Sequence, residues 1–199
     1  VDRFFLLQGH GLVVTGTAAK LTEATMMLDL AVNAPGAQMG QVLSLVPPEL
    51  LKKTDGLSSM GDVKFTLNVK GPSNETINPA TNCVFTISNG SIQYAKLPKS
   101  ISKIVVQGNF ERPAARIGAA GIGRFAVDKM TAAFGADEIA GNLSMTDFSD
   151  PVIAASFNGS LNLSEVKDYY PLEKETELSG RMKIGVNLNG KVKNPTSLK

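Results

Sequence analysis

His10, in LQGHGLVV, is the only histidine of the chain, and Cys83 the only cysteine. A Ser-His-Asp relay needs a histidine held between a nucleophile and a carboxylate, and a structural zinc site needs a set of Cys and His ligands. This inventory supplies neither. His10, between Gly9 and Gly11, reads as an exposed turn or strand-edge residue. Cys83, inside the apolar run CVFTI, reads as a small core residue, and a single cysteine allows no internal disulfide. Asp137-Glu138 and the trio Glu173, Glu175 and Glu177 would be the candidates for a facing carboxylate pair acting on a glycoside. They fall at turn or solvent positions, and with aromatics at 6% and no Trp the chain offers a sugar no stacking platform. The glycine groups Gly9-Gly11-Gly16 and Gly118-Gly121-Gly123 fit neither the dinucleotide fingerprint nor the phosphate-binding loop. Strand kinks and close backbone approach explain them better. The sequence therefore reads as non-enzymatic, with no metal and no cofactor.

The elements that would carry such residues point the same way. The chain has 199 residues, 19 of them Gly and 10 Pro, with 19% charged residues. That mixture suits many short strands separated by turns. A net charge of +2, with no basic run longer than Lys52-Lys53, gives no footprint for nucleic acid. No signal peptide is evident, and the longest apolar candidate, IGAAGIGRFAV (117–127), is interrupted by Arg124 and is too short to span a bilayer. The chain opens on Val1 and stops soon after a strand-like run, so it reads as a piece of a longer protein.

The clearest pattern is DVKFTLNVKG (62–71), where Val63, Phe65, Leu67 and Val69 alternate with polar residues. A period of two with no error predicts a strand with one apolar and one wet face, as in antiparallel sheets. RMKIGVNLNG (181–190) repeats it with Met182, Ile184, Val186 and Leu188. Between them CVFTI, SIQYA, SKIVVQGNF, GRFAVDKMTAAF, DEIAGNLSMTDF and VIAASFNGSLNL read as further strands. Asn89-Gly90 is the expected tight hairpin between the first two of these. Two segments carry helical signals. QMGQVLSLVPPELLKK (38–53) has apolar residues at helical spacing up to Pro47-Pro48. LSEVKDYYP (163–171) offers Ser164 as a cap and Pro171 as a stop. The expectation is a mostly β protein: an elongated, curved antiparallel meander with an apolar concave face and two short helices.

An internal repeat accompanies these elements. LDLAV (28–32) leads through a short helix and Pro47 to Gly61 and VKFTLNVKG; LNLSEV (161–166) leads through a short helix and Pro171 to Gly180 and MKIGVNLNG. The whole of 1–199 reads as one β domain with weak repeats at about 26–71 and 153–190.

Asn89-Gly90, Ile92, Tyr94 and Leu97-Pro98 before an Ile/Val run resemble the C-terminal region of AsmA-like proteins. So do IAGNLSM (139–145), Phe148-x-Asp150-Pro151, and FNGSLNLSEV (157–166) leading to LSGRMKIGVNLNG (178–190). The resemblance spans roughly residues 20 to 195; the loop ERPAARIGAAGIG (111–123) departs from it. It implies the periplasmic portion of an inner-membrane-anchored Gram-negative envelope protein, linked to outer-membrane assembly. It further implies phospholipid transport, with the hollow face of the sheet carrying acyl chains and the membrane reached through an anchor outside this chain.

On that implication the lipid-binding face would be Val63, Phe65, Leu67, Val69, Phe85, Ile87, Ile104, Val106, Met182, Ile184, Val186 and Leu188. The same residues fit a second expectation, a structural scaffold module of the envelope with a sealed core and no lipid cargo. Alternation alone is satisfied by a closed barrel or sandwich as well as by an open groove.

Overall fold

The computed structural model describes residues 3–4, 7–9, 12–22, 24–40, 57–119, 123–148, 150–173 and 176–191. The expected helix at 38–53 lies outside them except for Gln38, which ends a strand, and Met39 and Gly40, which are helical. His10 and Glu175 also lie outside.

The chain is a meander. Strands β1 (Arg3–Phe4) and β2 (Leu7–Gly9) both pair with β3 (Leu12–Lys20), forming a broken edge. From β3 the sheet continues through β4 (Met26–Gln38), β5 (Leu57–Ser73), β7 (Ala80–Tyr94) and β8 (Ile101–Arg112). It ends with β10 (Arg124–Phe134), β11 (Asp137–Thr146), β12 (Val152–Asn162) and β13 (Arg181–Lys191). Every neighbouring pair is antiparallel, and β1 does not meet β13, so the curved sheet stays open. Two short strands between these, β6 (Ile77–Asn78) and β9 (Ala115–Arg116), pair with each other.

Three local devices shape the strands. The two-residue hairpin is at Gly135–Ala136, where Gly135 (φ 66°) joins β10 to β11 and Phe134 faces Asp137. The Asn89-Gly90 expectation is therefore corrected. β7 runs straight through that dipeptide, and Asn89, at φ 53°, sits in a bulge where the register with β8 slips between Ile87 and Gly90. Its side chain donates to Asp62 on β5 at 2.9 Å, and no room exists for a side chain at Gly90, whose Cβ would stand 2.8 Å from that of Ile104. Further bulges lie at Pro35–Gly36 on β4 and at Asp128–Lys129 on β10. Each adds a residue without turning the apolar series over to the other face.

Between β12 and β13 a 3-10 turn, Leu163–Glu165, runs into the short helix α1, Val166–Tyr169. Its cap is Asn162, whose side chain accepts from the Ser164 N–H at 3.2 Å, so Ser164 is the residue capped and not the cap. Pro171 follows the last helical turn, as expected.

No second layer covers this sheet among the described residues. None of their large side chains is fully buried, and five of the nine buried apolar residues are alanines: Ala34, Ala37, Ala126, Ala133 and Ala155. A two-layer domain would seal Leu, Ile and Phe instead.

Candidate functional site: an apolar face across the sheet

Residues directly opposite in an antiparallel pair point to the same face. Following the register strand by strand therefore draws rows across the sheet. One row runs Ala37, Val63, Ile87, Val106, Met130, Gly141, Phe157, Val186. The next runs Ala34, Phe65, Phe85, Gly108, Val127, Leu143, Ala155, Leu188. A third runs Val32, Leu67, Cys83, Phe110, Phe125, Met145, Ile153, Gly190. None of the three contains a charge.

The rows sort the residues expected from the sequence into two groups on this one face. Val63, Phe65, Leu67, Val69, Phe85, Ile87, Ile104 and Val106 lie together on β5, β7 and β8. Met182, Ile184, Val186 and Leu188 lie on β13, with Val186 opposite Phe157 and Leu188 opposite Ala155. Three strands separate the groups, and their contribution (Phe125, Met130, Leu143 and Phe157 among others) was missed. Their alternation is interrupted by glycines and by the β10 bulge, so a period-of-two count undervalues them.

Exposure changes along the face. Val63 and Ile104 are buried, while Met182, Val186 and Leu188 are 40%, 37% and 58% exposed. In the first group the face forms a groove of about 330 Å³ lined by Met39, Val63, Phe65, Leu67, Cys83, Phe85 and Ile87. Burial raises the Cys83 thiol above its ordinary pKa, in keeping with an apolar wall. The opposite face is wet. Lys70 pairs with Asp29 at 2.9 Å, Thr66 donates to Asn33 at 3.0 Å and Asn109 to Asp128 at 2.8 Å. A hollow of about 440 Å³ beside the Pro35–Gly36 bulge is lined there by Asn33, Lys64, Thr66, Val84 and Thr86.

The floor is levelled by phenyl rings laid over glycines. A Cβ on Gly108 would stand 2.5 Å from the Phe85 ring, and one on Gly141 would stand 2.3 Å from Phe157. In both cases ring and glycine are register partners. Only glycine lets the ring lie flat.

Aromatic contacts also mark both rims. At the rim where β8 ends and β10 begins, Phe148 stacks on Phe110 with centroids 5.7 Å apart. At the other rim Tyr169 of α1 meets Phe134 edge-on at 5.6 Å, and Tyr170 meets Tyr94 at 5.5 Å. Lys99 fastens α1 there. Its ammonium donates to Glu165 at 2.6 Å, lies 3.1 Å from Asp168 and 5.4 Å from the centre of the Tyr169 ring. Its hydrogen bonds to Glu165 and then Asp168 hold its pKa above the lysine range, and the hydrogen bond from Lys99, with that from Asn162, holds Glu165 below its ordinary value.

Asp137 corrects a sequence expectation. It was placed at a solvent or turn position, yet it is buried, 7% exposed. It accepts from Ser160 at 3.0 Å and the Asn162 N–H at 2.9 Å, and it pairs with Arg181. Burial alone would raise its pKa, but those three hydrogen bonds and the guanidinium charge outweigh burial and lower it. The group is a fastener between β11, β12 and β13. Glu138, Glu173 and Glu177 are exposed. Among the described residues no three His, Cys, Asp or Glu side chains converge to hold a metal, and no helix is long and apolar enough to cross a membrane.

Among the described residues, fold and face together define an open, single-layer β trough with one continuous apolar surface. No family model matches the chain, and no curated protein or solved structure is significantly similar to it.

Proposed function

We propose that this chain is a non-enzymatic segment of an AsmA-like cell-envelope protein that shields lipid acyl chains on its apolar face. In this reading it is the periplasmic part of a protein anchored in the inner membrane and serves outer-membrane assembly by carrying phospholipid between membranes. The observation that carries the reading is the apolar face itself, uncharged in three rows across eight strands and without a covering layer among the described residues. Water on such a face is costly, and an acyl chain replaces it at about 0.8 kcal/mol per CH₂ group. A 16-carbon chain would gain on the order of 10 kcal/mol, enough to offset extraction from a bilayer. A conduit of this type needs no reactive group, and the AsmA-like motifs of the sequence agree with it.

The test is native mass spectrometry of the chain purified without detergent from a Gram-negative host, followed by organic extraction. Co-purifying phospholipid, lost in Leu67→Glu while the fold persists, supports the conduit. A lipid-free protein that also fails to take up phospholipid would refute it and leave a scaffold role.

A further inference from the structure

The two rims of the trough hold their charged groups differently. At the rim of α1 the carboxylates of Asp137, Glu165 and Asp168 are all paired, with Lys99 or Arg181, and Lys167 adds a third cation on α1 itself. At the opposite rim Arg112 ends β8. It continues the series Ile104, Val106, Gly108, Phe110 by one step on the apolar face, and it faces Thr81 directly across the pair. Arg112 is half-buried, and its guanidinium has neither a hydrogen bond nor an ion pair among the described residues. The strand pair places it two residues beyond Cys83 and Phe110, roughly 7 Å along the strand from the groove wall. Exposed Arg116, on the β9 segment just after it, adds a second cation.

We infer that Arg112 binds the anionic phosphate headgroup of a lipid whose acyl chains lie on the apolar face. This deepens the proposed lipid-carrying role and rests on it. Two features favour the assignment. A guanidinium presents a planar fork that matches two phosphate oxygens. The position beside the apolar wall brings headgroup and chain within the span of one amphiphile.

Delipidated protein is incubated with vesicles containing equal amounts of phosphatidylglycerol and of diacylglycerol with the same chains, and bound lipid is counted by native mass spectrometry. The wild type should favour phosphatidylglycerol about tenfold, the factor that one charge-assisted hydrogen bond confers. Arg112→Gln should bring the ratio near unity while diacylglycerol uptake persists, and Arg112→Lys should restore part of the preference. A wild type without preference, or an Arg112→Gln variant that keeps it, overturns the headgroup site and leaves the trough standing. Uptake of neither lipid removes the trough and the site together. Soluble glycerol phosphate should not displace the lipid; displacement would show a site for free phosphate instead.

Discussion

Phe157 lies flat across Gly141, its register partner on the neighbouring strand, so closely that a Cβ on that glycine would stand 2.3 Å from the ring and 2.5 Å from the Ser156 carbonyl. Gly190, on the same face at the sheet edge, has nothing within 4 Å of the equivalent point. Gly141→Ala should therefore destabilise the protein by about 1–3 kcal/mol through overpacking. Gly190→Ala should stay within about 0.5 kcal/mol of wild type. Urea unfolding followed by far-UV circular dichroism separates the two, and equal midpoints would mean that the ring does not lie on Gly141.

A charge placed on the face should act according to depth. Val186, 37% exposed on the edge strand, should accept Glu at a cost of about 1 kcal/mol or less. Leu67, half-buried between Val32 and Cys83, should cost about 1–3 kcal/mol and still fold, because its flank is open trough and not sealed core. Both variants should bind less phospholipid. Complete unfolding of Leu67→Glu, seen by circular dichroism, would point to a sealed interior.

The attachment of α1 should depend on pH at both extremes. Glu165 titrates below its ordinary value of 4.5 in the folded protein, so its contribution is complete above that value and is lost as the pH falls through the lowered one. Lys99 is shifted upward, so its contribution is complete below 10.5 and is lost as the pH rises through the raised value. The three tyrosines of the chain, Tyr94, Tyr169 and Tyr170, all sit at this junction, and there is no Trp. Near-UV circular dichroism thus reports α1 almost alone. The tyrosine signal should fade in acid before the far-UV strand signal does, and in Lys99→Met it should already be weak at neutral pH. Simultaneous loss of both signals in the wild type would show that α1 is not separately held.

Much of the sheet is legible in the sequence because alternation marks both β5, where burial follows it, and β13, whose apolar residues stay largely exposed. Four apolar residues in step on each strand suffice to fix the face. Register is not legible from one strand, so neither the Phe-Gly pairs nor the burial of Asp137 could be read. Both depend on which residue stands opposite. Asn89-Gly90 has the composition of a hairpin, and only the strand pairing on both sides decides that it is a bulge. The cap of the 3-10 turn before α1 did carry a signal: Asn162 with Glu165 three residues later has the spacing of a capping box, and Asn162 donates to Glu165 at 2.8 Å. The rim cation Arg112 had none, since its face follows from the run of β8 and its significance from having no hydrogen-bond or ion-pair partner among the described residues.

Cys83 lines the groove and is the single thiol of the protein, so it reports directly on whether an acyl chain occupies the apolar face. The measurement is the rate at which a small thiol reagent modifies Cys83 in lipid-free and phospholipid-loaded protein, with the unfolded chain as reference. Labelling should be slow in the lipid-free protein, because burial raises the thiol pKa, and several-fold slower once lipid is bound. An unchanged rate with lipid demonstrably bound would place the lipid elsewhere and contradict the trough.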